Sequence, residues 1–175
     1  MTETRRQIRA HVHANAGIHF NELVRESSFA PGQIQYHVRR LIDDGELVRG
    51  EFYGRTHYYP PEYDERERAM LAVFRRETAR GIVVHLIEHE PTGPSGVADA
   101  LEIARSTLEY HLERLVERGV VEKTYDERNR VVLRLANRER TAALLSTVEP
   151  TVPDRLLDRF TRLVDDLLEG GPGSG

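Results

Sequence analysis

The stretch QIQYHVRRLIDDGELV, Gln33 to Val48, is written again as TLEYHLERLVERGVVE, Thr107 to Glu122. Tyr36, His37, Arg40, Leu41 and Gly45 return as Tyr110, His111, Arg114, Leu115 and Gly119, each about 74 positions later. No other feature constrains the fold as tightly. A chain of 175 residues that carries one helix-sized cassette twice is expected to build two small, similar units, each with its own core.

The surroundings of the cassette repeat as well. In the first copy, Thr4 to Asn15 reads as an amphipathic helix with Ile8 and Val12 one turn apart, stopped by Ala16-Gly17. Ile18-His19-Phe20 reads as a short strand or turn, and Asn21 to Glu26 as a second helix burying Leu23 and Val24. Ala30-Pro31-Gly32 opens a third helix, because proline in a first turn has no intrahelical donor to lose. Ile34, Val38, Leu41 and Ile42 form its buried stripe, and Gly45 can take the left-handed cap. Leu47 to Phe52 and Thr56 to Tyr59 then read as a hairpin around Tyr53-Gly54-Arg55.

In the second copy Ile82 and Leu86 stand for Ile8 and Val12, and Val97 and Ala98 for Leu23 and Val24. Leu108, Leu112, Leu115 and Val116 make the buried stripe, and Val120 to Tyr125 with Arg130 to Leu135 the hairpin. Three helices followed by a two-stranded ribbon is the order of a winged helix-turn-helix. The expected fold is therefore mainly α with small β-hairpin wings: two tandem winged helix-turn-helix domains plus C-terminal helices. The expected boundaries are 1–61 for the first unit, 62–79 for a linker helix, 80–136 for the second unit, 137–169 for C-terminal helices and 170–175 for a flexible tail. A long helix is expected to run from Glu65 into the second unit, bending at Gly81.

In such a fold the third helix enters the major groove with its N-terminal residues at the base edges. With Ile34 facing inward, Gln33, Tyr36 and Arg40 fall on one outward flank and Gln35 and Arg39 on the other. Gln33 and Gln35 are placed to bond adenine edges, Arg39 and Arg40 to hold phosphates, and Arg49, Arg55 and His57 to bring the wing against the duplex. In the second copy Arg105, Ser106, Thr107 and Tyr110 on the helix, with Lys123, Arg128 and Arg130 on the wing, are the corresponding candidates. Glu109 and Glu113 replace Gln35 and Arg39 there, and carboxylates repel phosphate. The first unit is therefore expected to be the surer base reader.

Charge bears on the same question. The net charge is −4, and Lys123 is the sole lysine among 25 basic residues. A DNA binder of this balance must arrange its positive charge locally, and an acidic, lysine-poor chain suits the high-salt cytoplasm of a halophile. Cysteine is absent, so disulfides and thiolate metal sites are excluded. No apolar run is long enough to span a bilayer and no signal peptide pattern opens the chain, which fits a cytoplasmic protein.

The run from Pro31 to Leu41, Gly45, the wing and Tyr58-Tyr59-Pro60 resembles the archaeal tandem winged helix-turn-helix transcriptional regulators, distant relatives of the ArsR and MarR families. The likeness extends through Arg75 to Arg80 to the leucine-rich end. It implies double-stranded DNA as partner, transcriptional control, groove contacts from the third helix and wing, and often a homodimer. Leu156, Leu157, Phe160, Leu163, Val164, Leu167 and Leu168 share one face of a helix that is the expected dimer interface.

Two alternatives stay open: a protein-interaction scaffold, and a regulator responsive to an unknown effector or to a metal. His85 and His89 fit the H-x-x-E-H pattern of inverted zinc peptidases, and an i, i+4 pair can share a zinc. Their segment, however, is the first helix of the second unit, and its Leu86 and Ile87 are needed for the core. No enzyme, no cofactor and no metal is the expectation.

Overall fold

The computed structural model describes residues 1–148, so the expected dimer helix lies outside the described residues. The chain divides into two compact units, Met1–Arg75 and Arg76–Ser146. The first contains α1 (Glu3–Ala14), β1 (Ile18–His19), α2 (Phe20–Glu26), α3 (Pro31–Asp43), β2 (Val48–Phe52), β3 (Arg55–Tyr59) and α4 (Glu65–Phe74). The second contains α5 (Glu77–His89), α6 (Pro94–Leu101), α7 (Arg105–Glu117), β4 (Val121–Tyr125), β5 (Val131–Leu135) and α8 (Arg138–Leu145).

The buried stripes follow the periodicity except at Val116, expected on the stripe of the second unit's third helix, which stands 37% exposed. Ile8 and Val12 of α1, Leu23 of α2, and Ile34, Val38 and Leu41 of α3 form one apolar core with Ile18, Leu47 and Tyr58. Val24 and Ile42 are only partly buried at its margin. In the second unit Ile82, Leu86, Val97, Leu108, Leu112 and Leu115 are buried on helices that touch one another. Removing a side chain of this kind to alanine typically costs about 2–5 kcal/mol, a large share of what a unit this small can have.

Glycine ends both third helices for the same reason. Gly45 (φ +72°) and Gly119 (φ +70°) take the left-handed conformation, and the N–H groups of Glu46 and Val120 return to the carbonyls of Leu41 and Leu115. Gly17 (φ +89°) is doubly constrained, because a Cβ there would stand 3.3 Å from the side chains of both Arg75 and Tyr59.

In the first unit the sheet has the order β1-β3-β2, antiparallel throughout. The wing turns on Tyr53 (φ +53°) and Gly54 (φ +75°), so Arg55 belongs to the strand and the loop has two residues, the backbone of a type I′ turn. In the second unit a single bridge, Thr92 to Leu133, stands where β1 pairs in the first. The wing loop there is longer. The Asp126 carboxylate organises it by accepting from the N–H groups of Arg128 and Arg130, 2.9 Å each, and from the Arg130 Nε at 2.8 Å.

The expected long helix bending at Gly81 does not form. α4 ends at Phe74, Arg75 is its C-cap, and Arg76 is extended (φ −86°, ψ 123°) before α5 begins. Gly81 lies within α5 and faces Leu101. The break has no proline or glycine to announce it. The break falls beside a tertiary contact: Arg75, still helical in its backbone, pairs with Glu22 of α2, Nη2 to Oε1 2.9 Å.

Candidate nucleic-acid interface

α3 turns its apolar stripe inward and leaves Gln33, Gln35, Tyr36, Arg39 and Arg40 exposed. Tyr36 is 59% exposed, edge-on to the His37 ring, so it stands on the outer surface and does not cover a turn. Arg39 and Arg40 make no ion pair or hydrogen bond among the described residues, which leaves both guanidinium groups available to an anion.

Two glutamines that look alike in the sequence do different work. The Gln33 Oε1 accepts from the Ala30 N–H at 3.2 Å, closing the first turn of α3. A bidentate grip on adenine needs both amide atoms. Gln33 is engaged in the cap, whereas Gln35 makes no side-chain hydrogen bond among the described residues.

The pleat then sorts the wing. Arg49 of β2 pairs with Tyr58 of β3. Both line a cavity of about 460 Å³ with Gln35, Val38, Arg39 and Ile42 of the recognition helix. Arg55 lies on the alternate side, its Nη1 3.4 Å from the His19 Nε2. His57 does not meet the expectation of a wing contact. It is 5% exposed, with Nδ1 2.6 Å from the Gly17 carbonyl and the His19 and Phe52 rings beside it.

The second unit spends its cations differently. Arg105, Ser106, Thr107 and Tyr110 are exposed along the start of α7. The Glu109 carboxylate is bound on both oxygens, by Arg105 Nε at 3.1 Å and Lys123 Nζ at 3.2 Å. Burial is the largest single influence and raises this carboxyl, but the bonds and charges of Lys123 and Arg105 together outweigh it and hold it below its ordinary value. Arg114 stacks on the Tyr110 ring, 3.8 Å from its centroid, and Arg130 is tied to Asp126 at 2.8 Å. Arg128 sits exposed in the wing loop. Arg105–Glu109, Tyr110–Arg114 and Asp126–Arg130 are each four residues apart and readable in the sequence, whereas Glu109 and Lys123 meet only when wing and helix fold together.

The remaining histidines are accounted for by packing. The rings of His85 and His89 stack with centroids 4.5 Å apart, and among the described residues no group of three His, Asp or Glu side chains gathers around them. The Nδ1 atoms of His37 and His111 are buried without a hydrogen-bond partner among the described residues.

Protonation of His19, His57 and His111 is linked to stability. Burial is the largest influence on His19, His57 and His111, and each is held below 6.5. Glu22 opposes the shift at His19 and the Gly17 carbonyl at His57, while Arg55 and Arg75 add to both. The folded chain thus binds fewer protons than the unfolded one as pH falls below 6.5, and stability declines over that interval. Glu22, Glu109 and Asp126 are depressed below their ordinary carboxyl values, so their contribution disappears only in the more acid range. Thermal unfolding followed from pH 8 to pH 4 is expected to show a midpoint that is level above about 7 and falls first through the histidine window. A midpoint unchanged down to pH 5 would contradict it.

Two units, each with a third helix presenting a polar face beside a β-ribbon, define a tandem winged helix-turn-helix protein. Comparison with known families agrees. Residues 2–71 match a family described as an N-terminal HTH domain, and residues 76–124 one described as a helix-turn-helix domain. The chain carries the two domains in tandem. It is 29% identical over 133 residues to a protein of Methanocaldococcus jannaschii named as an uncharacterized HTH-type transcriptional regulator. That match covers 75% of this chain and 33% of the relative, so the chain spans about a third of its length. No helix among the described residues is long and apolar enough to cross a membrane.

Proposed function

We propose that the protein is a sequence-specific double-stranded DNA-binding regulator of transcription whose first unit reads the major groove with α3. One observation carries the reading: the exposed face of α3 holds a free glutamine near its start and two unpaired arginines a turn later, with Arg49 of the wing beside them. That is the order of base reader, then phosphate clamp, that docking by a helix N-terminus requires. The two helix-turn-helix matches and the name of the archaeal relative point the same way.

Gln35→Ala is expected to lower the preference for adenine at one position of the selected site by about ten- to a hundredfold while leaving affinity for unrelated duplexes unchanged. Competition binding of the wild type and the variant across single-base changes measures this, and an unaltered preference would remove Gln35 from the reading.

The regulator further acts as a homodimer through the segment holding Leu156, Leu157, Phe160, Leu163, Val164, Leu167 and Leu168, whose apolar spacing suits a self-complementary helical pair. A dimer places two copies of α3 on half-sites roughly 34 Å apart or a multiple of that. Light scattering of a chain ending at Pro150 is expected to give a monomer. A persistent dimer would move the interface elsewhere.

A further inference from the structure

Arg105 is the first residue of α7, where a cation opposes the helix dipole. It is 53% exposed, so its ion pair with Glu109 adds little to stability. Neither packing nor folding accounts for the arrangement, yet three elements converge on it. Glu109 of α7 accepts from its Nε at 3.1 Å, Ser95 of α6 accepts from its Nη1 at 3.3 Å, and Lys123 of β4 holds the other oxygen of the same carboxylate at 3.2 Å. The result is an arginine fixed along its Nε edge. Nη2 makes no hydrogen bond among the described residues and Nη1 gives one of its two hydrogens to Ser95, so the outer end of the guanidinium keeps donors for a ligand.

An exposed fork of fixed direction, in the first turn of a helix that lies where α3 lies in the other unit, fits the O6 and N7 acceptors of guanine. We propose that Glu109 is a positioning residue that holds Arg105 to read a guanine in the major groove. This rests on the DNA-binding reading of the fold. It reverses the significance of Glu109: two cations on one carboxylate leave the trio positive, so the glutamate orients a cation where a bare acid would repel the duplex. The copies then differ in chemistry at corresponding positions. Gln35 reads with its own amide, whereas Glu109, which stands in its place, reads through an arginine that the first unit lacks, having Pro31 there.

The test is selection of the full chain against a randomised duplex library, followed by sequencing, for the wild type, Arg105→Ala, Arg105→Lys, Glu109→Gln and Glu109→Ala. The wild type is expected to enrich a site with a fixed guanine. Both Arg105 variants are expected to lose that guanine while keeping the bases read by the first unit, since lysine cannot supply the fork. Preference for the guanine should fall in the order wild type, Glu109→Gln, Glu109→Ala, by about tenfold or more at the last step. Thermal unfolding midpoints should match, because all the altered side chains are exposed. An Arg105→Ala or Glu109→Ala protein that selects the wild-type site overturns the inference and leaves the DNA-binding reading standing. So does a Glu109→Ala protein that binds every duplex more tightly with unchanged base preference, the behaviour of a merely repulsive carboxylate. Failure of the wild type to enrich any sequence overturns both.

Discussion

Replacing Arg39 and Arg40 together with alanine is expected to weaken binding to every duplex, specific or not, by about a hundredfold near 0.1 M salt, roughly tenfold per charged contact. Both side chains are exposed, and neither is engaged by another described residue, so nothing in the fold competes for them. If each neutralises one phosphate, the slope of log affinity against log salt should flatten by about two. The measurement is a titration of labelled genomic fragments at several salt concentrations. Unchanged affinity and slope would mean that α3 does not meet the phosphate backbone, and the protein-interaction scaffold would become the better account. Stability should hardly move, because no buried group loses a partner.

The second large effect is on stability and concerns a residue far from any groove. Arg75→Leu is expected to destabilise the first unit by about 3 kcal/mol. The Arg75 side chain is 8% exposed and that of Glu22 15%, and removing the guanidinium leaves a largely buried carboxylate facing His19 at 3.7 Å, a ring that burial keeps largely neutral at pH 7, and the weaker field of Arg25. In a unit of this size that is about 10 °C or more in the unfolding midpoint. Urea or thermal unfolding with separate probes for the two units reads it, and the loss should be confined to the first. Adding Glu22→Leu should restore part of the stability, because a buried pair can often be replaced by apolar side chains more cheaply than it can be halved. A single variant as stable as the wild type would show that water reaches Glu22 freely.

The duplicated cassette made most of the fold legible. Ile34, Val38 and Leu41 recur at helical spacing, and a stripe at that spacing has one way to face a core. Gly45 and Gly119 follow their stripes at the position where a left-handed cap closes a helix. The break at Arg76 was not legible, since the residues from Glu65 to Glu77 carry no proline or glycine to stop a helix and the ion pair of Arg75 with Glu22 forms only in the folded unit. His57 was misread for a related reason. Alternation along β3 places His57 and Tyr58 on opposite sides of the ribbon. His57 is buried by groups that folding brings to its side, the Gly17 carbonyl and the His19 and Phe52 rings among them.

The candidate interface divides along the same line. The sequence by itself determined that α3 and α7 each carry an outward polar face, and which residues occupy it, because helical geometry leaves no freedom in that assignment. Only the tertiary structure decided which of those residues are at liberty. Gln33 is occupied by its own cap and Gln35 is not; Arg39 and Arg40 are unpaired, while Arg105 and Lys123 share the carboxylate of Glu109. Periodicity is a property of one element, whereas the hydrogen bonds and charges that engage a side chain come from elements brought together by folding.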